Sequence, residues 1–174
     1  TVRGVWAHDY DDGSVSSRRL FVTVDVVTPD GLAVDESGTV WVADVRGVRY
    51  VNDSKGTNVG ATLAAVRGLA GPLVVIAGGD GKNQDFSELR PAFRGKVRHV
   101  VLIGRDAPAL AATLAGVCAT ERASDMPAAV RAAQAVAQPG DTVLLSPACA
   151  SLDMFRDYTH RGDEFAAAVR SLAA

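Results

Sequence analysis

Cysteine is nearly absent from this chain: Cys118 and Cys149 are the only two among 174 residues. Two thiols do not build a disulfide framework, so both are expected to be reduced and the chain to be cytoplasmic. There is no uninterrupted apolar run of about 18 residues, the length a membrane-crossing helix needs. A basic-then-apolar leader is also missing from the first residues. Excess charge of either sign is lacking: the net charge is −2 and the pI about 5.9, which gives no reason to expect nucleic acid or an anionic membrane as a partner. Three sets of chemical signatures are missing too. No G-x-x-x-x-G-K-[ST] phosphate loop occurs, and Gly81-Lys82-Asn83 lacks its upstream glycine and hydroxyl. No G-x-S-x-G nucleophile elbow occurs. His8, His99 and His160 are scattered rather than clustered, so no metal site is expected. What is present is ordinary for a globular protein, 48% hydrophobic and 22% charged, which argues against disorder. The length suits one domain, or one domain with a small appendage.

The pattern changes near residue 46. Before it, apolar residues recur with a period of two, and strands are expected around Arg3–His8, Arg19–Val24, Leu32–Asp35 and Val40–Val45. Turn formers separate them: Asp11-Asp12-Gly13, Pro29-Asp30-Gly31 and Glu36-Ser37-Gly38. After residue 46, strand and helix patterns alternate. Strands are expected at Val48–Val51, Leu73–Ala77, Val97–Ile103 and Thr142–Leu145, the last three as buried strands, with Leu73–Ala77 a continuous apolar run typical of a strand buried on both faces. Helices are expected at Val59–Leu69 (capped by Thr57 or Asn58), about Phe86–Phe93, Ala107–Ala115, Met126–Ala137 (capped by Ser124 or Asp125) and Gly162–Leu172. Such alternation implies an α/β fold, Rossmann-like, with a mostly parallel sheet and helices on both faces.

Folds of this kind take ligands beyond the carboxyl ends of their strands. Three segments fall there: Asn52–Asn58, Gly78–Lys82 and Ser146–Asp153. They offer Lys55 and Lys82, several hydroxyls and the amides of helix N-termini, groups that suit carboxylates and phosphates. Each has a plainer explanation. Asp53, Ser54 and Thr57 are common caps and turn formers, Gly78-Gly79-Asp80-Gly81 is a tight turn, Ser151 is a helix cap, and a lysine after such a turn is solvated. Convergence on one sheet edge is what sets the functional explanation beside the plain one.

The stretches GVRYVNDSKGTNVGAT, GGDGKNQDF, IGRDAP and LLSPACASLDMFRDYTHRGDEF together resemble the third, C-terminal domain of the Mur ligases that add D-glutamate, over residues 47–174. The resemblance implies a family that makes an amide with ATP and magnesium through an acyl phosphate attacked by the amine of D-glutamate. It implies that Lys55, Thr57 and Lys82 bind glutamate carboxylates, that Ser151 and Leu152 add hydroxyl or backbone contacts, and that Tyr158 packs on the amino acid. Asp53 would approach the nucleotide ribose. Gly56 stands where relatives have alanine, which loosens the helix start by up to about 1 kcal/mol. The phosphate loop, the UDP-sugar domain and the magnesium site of the family lie outside these motifs. UDP-N-acetylmuramoyl-L-alanine would therefore be reached only through other domains, with no catalytic residue and no cofactor expected on this chain alone. A monomer is expected.

Residues 1–46 are similar instead to part of a blade of the gluconolactonase and senescence-marker β-propellers, on VWAHDYDDGSVSSRRLFVTV and TPDGLAVDESGTVWVAD. That similarity implies a divalent-metal role for Asp30. The family's other ligands have no counterpart here, and Asp30 before Gly31 is better explained as a turn residue. One blade's worth of chain cannot close a propeller. The chain thus reads as a chimera, a ligase domain behind a small β appendage, with Val40–Val45 recruited as the first strand of the ligase hairpin and Arg46-Gly47 as its turn. The competing functions are a non-catalytic fused module and a lactonase-like hydrolase fragment.

Overall fold

A computed structural model describes residues 4–11, 14–23 and 40–172. The expected strand Leu32–Asp35, the two later turns and Asp30 lie outside the described residues. Near the N-terminus, β1 (Gly4–Asp11) and β2 (Ser14–Thr23) pair antiparallel as a two-stranded sheet, both longer than the periodicity suggests.

The rest is a six-stranded sheet, built from β3 (Val40–Val45), β4 (Val48–Asn52), β5 (Leu73–Gly78), β6 (Val97–Ile103), β7 (Ala119–Arg122) and β8 (Thr142–Leu145). Their spatial order is β3-β4-β8-β5-β6-β7. Only β3 runs antiparallel to its neighbour; β4, β8, β5, β6 and β7 are mutually parallel. The β3–β4 hairpin closes through Arg46 and Gly47, both at positive φ (55° and 76°), and the Gly47 amide donates to Asp44 Oδ1 at 3.0 Å. Two consecutive left-handed residues match the twist of flanking strands, as a two-residue hairpin requires.

Five helices cover the sheet: α1 (Val59–Gly68), α2 (Leu89–Phe93), α3 (Ala107–Leu114), α4 (Met126–Val136) and α5 (Tyr158–Leu172). Alternate residues of each central strand point to opposite faces, and the core divides accordingly. Val75, Val100, Leu102 and Leu144 pack under α1, α2 and α3. Tyr50, Val74, Ile76, Val101, Ile103, Val143 and Leu145 pack under α4 and α5. Every residue of β5 and β8 is buried, so both faces demand apolar side chains and the strands read as unbroken runs. Asn58 caps α1 and Asp125 caps α4, each side chain accepting an amide three residues on.

The expected elements form with three differences. The helix near Phe86 is shorter, its first residues forming turns. The closing helix begins four residues earlier, at Tyr158. The edge strand β7 was not expected, because Ala-Thr-Glu-Arg carries no apolar run. The sheet order places β4, β8 and β5 side by side, so the three candidate segments leave one edge of the sheet together.

Candidate functional site

The three segments are stitched to one another by their backbones. The Ala148 amide donates to Gly56 O at 3.0 Å, and the Gly78 amide to Pro147 O at 2.8 Å. Asp80 and Ala150 exchange both amide bonds, at 3.0 and 2.9 Å. This close approach excludes side chains at the glycines: a Cβ on Gly79 would sit 2.2 Å from Ala150 O.

Asp53 is buried, and its Oδ2 accepts the Ser146 hydroxyl at 2.6 Å; the Ser146 hydroxyl also lies 3.0 Å from that of Thr62. Gly56 packs directly on Asp53, where an added Cβ would fall 2.5 Å from Oδ2. Gly56 precedes the Asn58 cap, so its helix propensity is not at stake and the expected loosening of α1 does not arise. What the missing side chain changes is the packing against Asp53.

Lys55 is exposed and Thr57 half-buried on the first segment; Lys82 is exposed on the second. Lys82 has a left-handed backbone (φ 51°), as does Asn83 (φ 60°), and the Lys82 amide donates to Asp80 Oδ1 at 3.0 Å. Arg105 pairs with Asp80 Oδ2 at 3.1 Å, and the Arg105 amide donates to Asp153 Oδ2 at 2.8 Å, so the turn after β6 joins the same edge. Ser151 is buried in a turn rather than at the start of an α-helix, its carbonyl accepting the Met154 and Phe155 amides. Among the described residues, Leu152 and Tyr158 are the large apolar side chains that stand out from the surface, 69% and 47% exposed.

The amides expected to be free at the start of α1 are largely taken. Val59 N donates to Gln84 Oε1 at 3.2 Å and Ala61 N to Asn58 Oδ1 at 3.0 Å. An anion on this edge would therefore meet mainly side chains.

Arg161 is a residue the sequence reading passed over. It is 1% exposed and spans two segments: Nε donates to Ser54 Oγ at 3.0 Å, Nη2 to Ser54 O at 2.7 Å and Nη1 to Cys149 O at 3.0 Å. Burial lowers its pKa to about 10, so it stays cationic at neutral pH. Part of a signal was in the sequence, since Arg161 is in phase with Phe165 and Val169, four and eight residues on, but the helix was expected to begin only at Gly162 and left Arg161 just outside it. Cys149 beside it is fully buried, and burial pushes its thiol up to about 12, the opposite of an activated nucleophile. Among the described residues no group of three or more His, Cys, Asp or Glu is placed to hold a metal ion, and no helix is long and apolar enough to cross a membrane.

A mostly parallel sheet with helices on both faces and three polar loops joined beyond adjacent strand ends defines a Rossmann-like α/β domain. The family model for "Mur ligase, glutamate ligase domain" matches residues 39–149, more than half of the chain, and the chain belongs to the Mur ligase family. UDP-N-acetylmuramoylalanine–D-glutamate ligase of Methylococcus capsulatus is 62% identical over 133 residues, covering 76% of this chain and 29% of that protein. The ligases of the same name from Aromatoleum aromaticum (62% over 127 residues; 72% and 27% covered) and Burkholderia mallei (61% over 134 residues; 76% and 26%) are similarly close. The matched part is under a third of the length of these relatives. The SMP-30/Gluconolactonase/LRE-like region matches residues 1–67, overlapping the ligase match through β3, β4 and nearly all of α1.

Proposed function

We propose that this chain supplies the D-glutamate-binding part of an ATP-dependent ligase that joins D-glutamate to UDP-N-acetylmuramoyl-L-alanine. The observation that supports this reading is the convergence of the loops after β4, β5 and β8, with Lys55 exposed on one and Lys82 on another. A dicarboxylate needs two cationic anchors fixed relative to each other, and the interloop backbone bonds provide a rigid base for them. In this reading Lys55 and Thr57 hold one carboxylate and Lys82 the other. Ser151 and Leu152 contribute contacts from the third segment, and Tyr158 lies over the amino acid. Asp53 faces the nucleotide side, its carboxylate fixed by the Ser146 hydroxyl.

ATP, magnesium and the UDP-linked substrate belong, in this reading, to the other domains of the whole ligase. Acyl-phosphate chemistry depends on groups that stabilise the transferring phosphoryl, and on domains that hold the reactants at high effective molarity. This chain alone is accordingly proposed to bind without catalysing. The folded ligase unit is proposed to include β3, which closes the sheet edge beside β4.

The test is an NMR titration of labelled protein with D-glutamate, using L-glutamate as control. Saturable shifts at Lys55, Lys82, Ser151 and their neighbours with the D isomer alone are expected. A folded sample that responds to neither isomer would leave a module without a ligand role.

A further inference from the structure

The residue at which the three segments meet is Gln84. Its backbone amide donates to Gly81 O at 3.0 Å, closing a turn whose two central residues, Lys82 and Asn83, are both left-handed. A long side chain such as lysine rarely adopts that backbone, and it persists only where the surroundings over-determine it. The Gln84 side chain reaches from this turn into the third segment and to the helix start that directly follows the first. Nε2 donates to Ala148 O at 2.6 Å, and Oε1 accepts the Val59 amide at the start of α1 at 3.2 Å. Ala148 is itself left-handed (φ 57°), and its amide donates to Gly56 O beside Lys55. One primary amide therefore ties the strained turn that carries Lys82 to the strained residue that anchors the Lys55 loop.

Both ends of that amide are matched to their partners: the Val59 N–H requires an acceptor and the Ala148 carbonyl requires a donor. At neutral pH, where a glutamate is ionised and has no donor, no other side chain of this length offers one of each. We infer that Gln84 is a positioning residue for glutamate recognition, which sets Lys82 in register with Lys55 and Thr57 without touching the ligand. This rests on the glutamate-binding reading above. It extends that reading by locating the control of anchor spacing outside the anchors.

The experiment uses the whole chain with Gln84→Met, which keeps the length and removes both bonds, and Gln84→Glu. It reads site-resolved amide exchange protection at Val59, Lys82 and Ala148, with Ile76 in β5 as an internal reference, and then the D-glutamate dissociation constant. In Gln84→Met, protection at the three amides is expected to fall about tenfold, with Ile76 unchanged, and the dissociation constant to rise about tenfold, on the scale of losing one or two net hydrogen bonds.

Gln84→Glu separates positioning from bulk packing. As a carboxylate it has no donor for Ala148 O; protonated, it regains one donor and one acceptor. Its neutral form is the favoured one here, so its protonation midpoint lies above the usual value of about 4.3. Protection at Lys82 and Ala148 is expected to be lost at pH 7 and recovered towards pH 4.5, while Val59 keeps an acceptor in the carboxylate throughout, a pattern that Gln84→Met does not show. Wild-type protection at Lys82 and Ala148 in Gln84→Met, or unchanged D-glutamate affinity once that protection has fallen, overturns the inference. If the unaltered chain takes up no D-glutamate, the binding reading fails, and wild-type or lost protection decides whether Gln84 holds the turn.

Discussion

The two ends of the parallel sheet both place glycine at positive φ, for different reasons. At the amino ends, Gly95 before β6 and Gly116 before β7 have φ of 73° and 71°, and a Cβ on either would meet nothing within 4 Å. At the carboxyl ends, Gly78 and Gly79 have φ of 121° and 130°, and a Cβ would fall 2.0 Å from Ile103 O and 2.2 Å from Ala150 O. The first pair supplies left-handed turns in open space. The second lets three backbones approach until loops from distant parts of the chain can hydrogen-bond. The amino end has only to reverse the chain, whereas the carboxyl end has to hold several loops at fixed spacing.

That contrast sets the order of the mutational effects. Gly79→Ala, which must displace the Ala150 carbonyl, is expected to cost more than about 4 kcal/mol, combining φ strain with steric displacement. Urea unfolding of the purified variant, or its failure to accumulate in soluble form, would show it. Arg161→Met comes next. Removing the buried guanidinium leaves Ser54 O and Cys149 O without their donor, and about 3 kcal/mol is expected to be lost. Arg161→Lys should recover little of that, because one ammonium cannot reproduce the planar fork that spans both segments. A midpoint for Arg161→Lys equal to that of the unaltered chain would remove the guanidinium's geometry from the account. The smallest effect is Gly116→Ala, which pays φ strain alone, about 1 kcal/mol. If Gly116→Ala and Gly79→Ala shift the urea midpoint equally, the distinction between the two ends fails.

Much of this arrangement could be read before any coordinates. Val97–Ile103 was legible to the residue, because its Val100–Ile103 run is apolar and buried on both faces, even though Arg98 is exposed and His99 half-buried near its start. Asp125 and Asn58 were each legible as one of two cap candidates because a cap bonds within three residues of itself, and the fold decided against Ser124 and Thr57. β7 was not legible: an edge strand of four half-exposed residues is fixed by its pairing with β6 and leaves no hydrophobic trace. The start of α5 was placed late because Tyr158, Thr159 and His160 are largely solvent-facing and carry no apolar period. For the candidate site, the strand-end rule located the segments of Lys55, Lys82 and Ser151, while the roles of Arg161 and Gln84 stayed hidden. Their partners lie 107 residues away at Ser54 and 64 away at Ala148.

The sequence alone therefore determined the class of the fold, the edge at which polar groups gather and the family motifs, because those follow from local periodicity and from residue types at strand ends. The tertiary structure alone decided which side chains hold that edge together. It showed Arg161 as a buried clamp, Gln84 as a bridge, and the α1 amides as already occupied, since each depends on hydrogen-bond partners that only the folded sheet brings within reach.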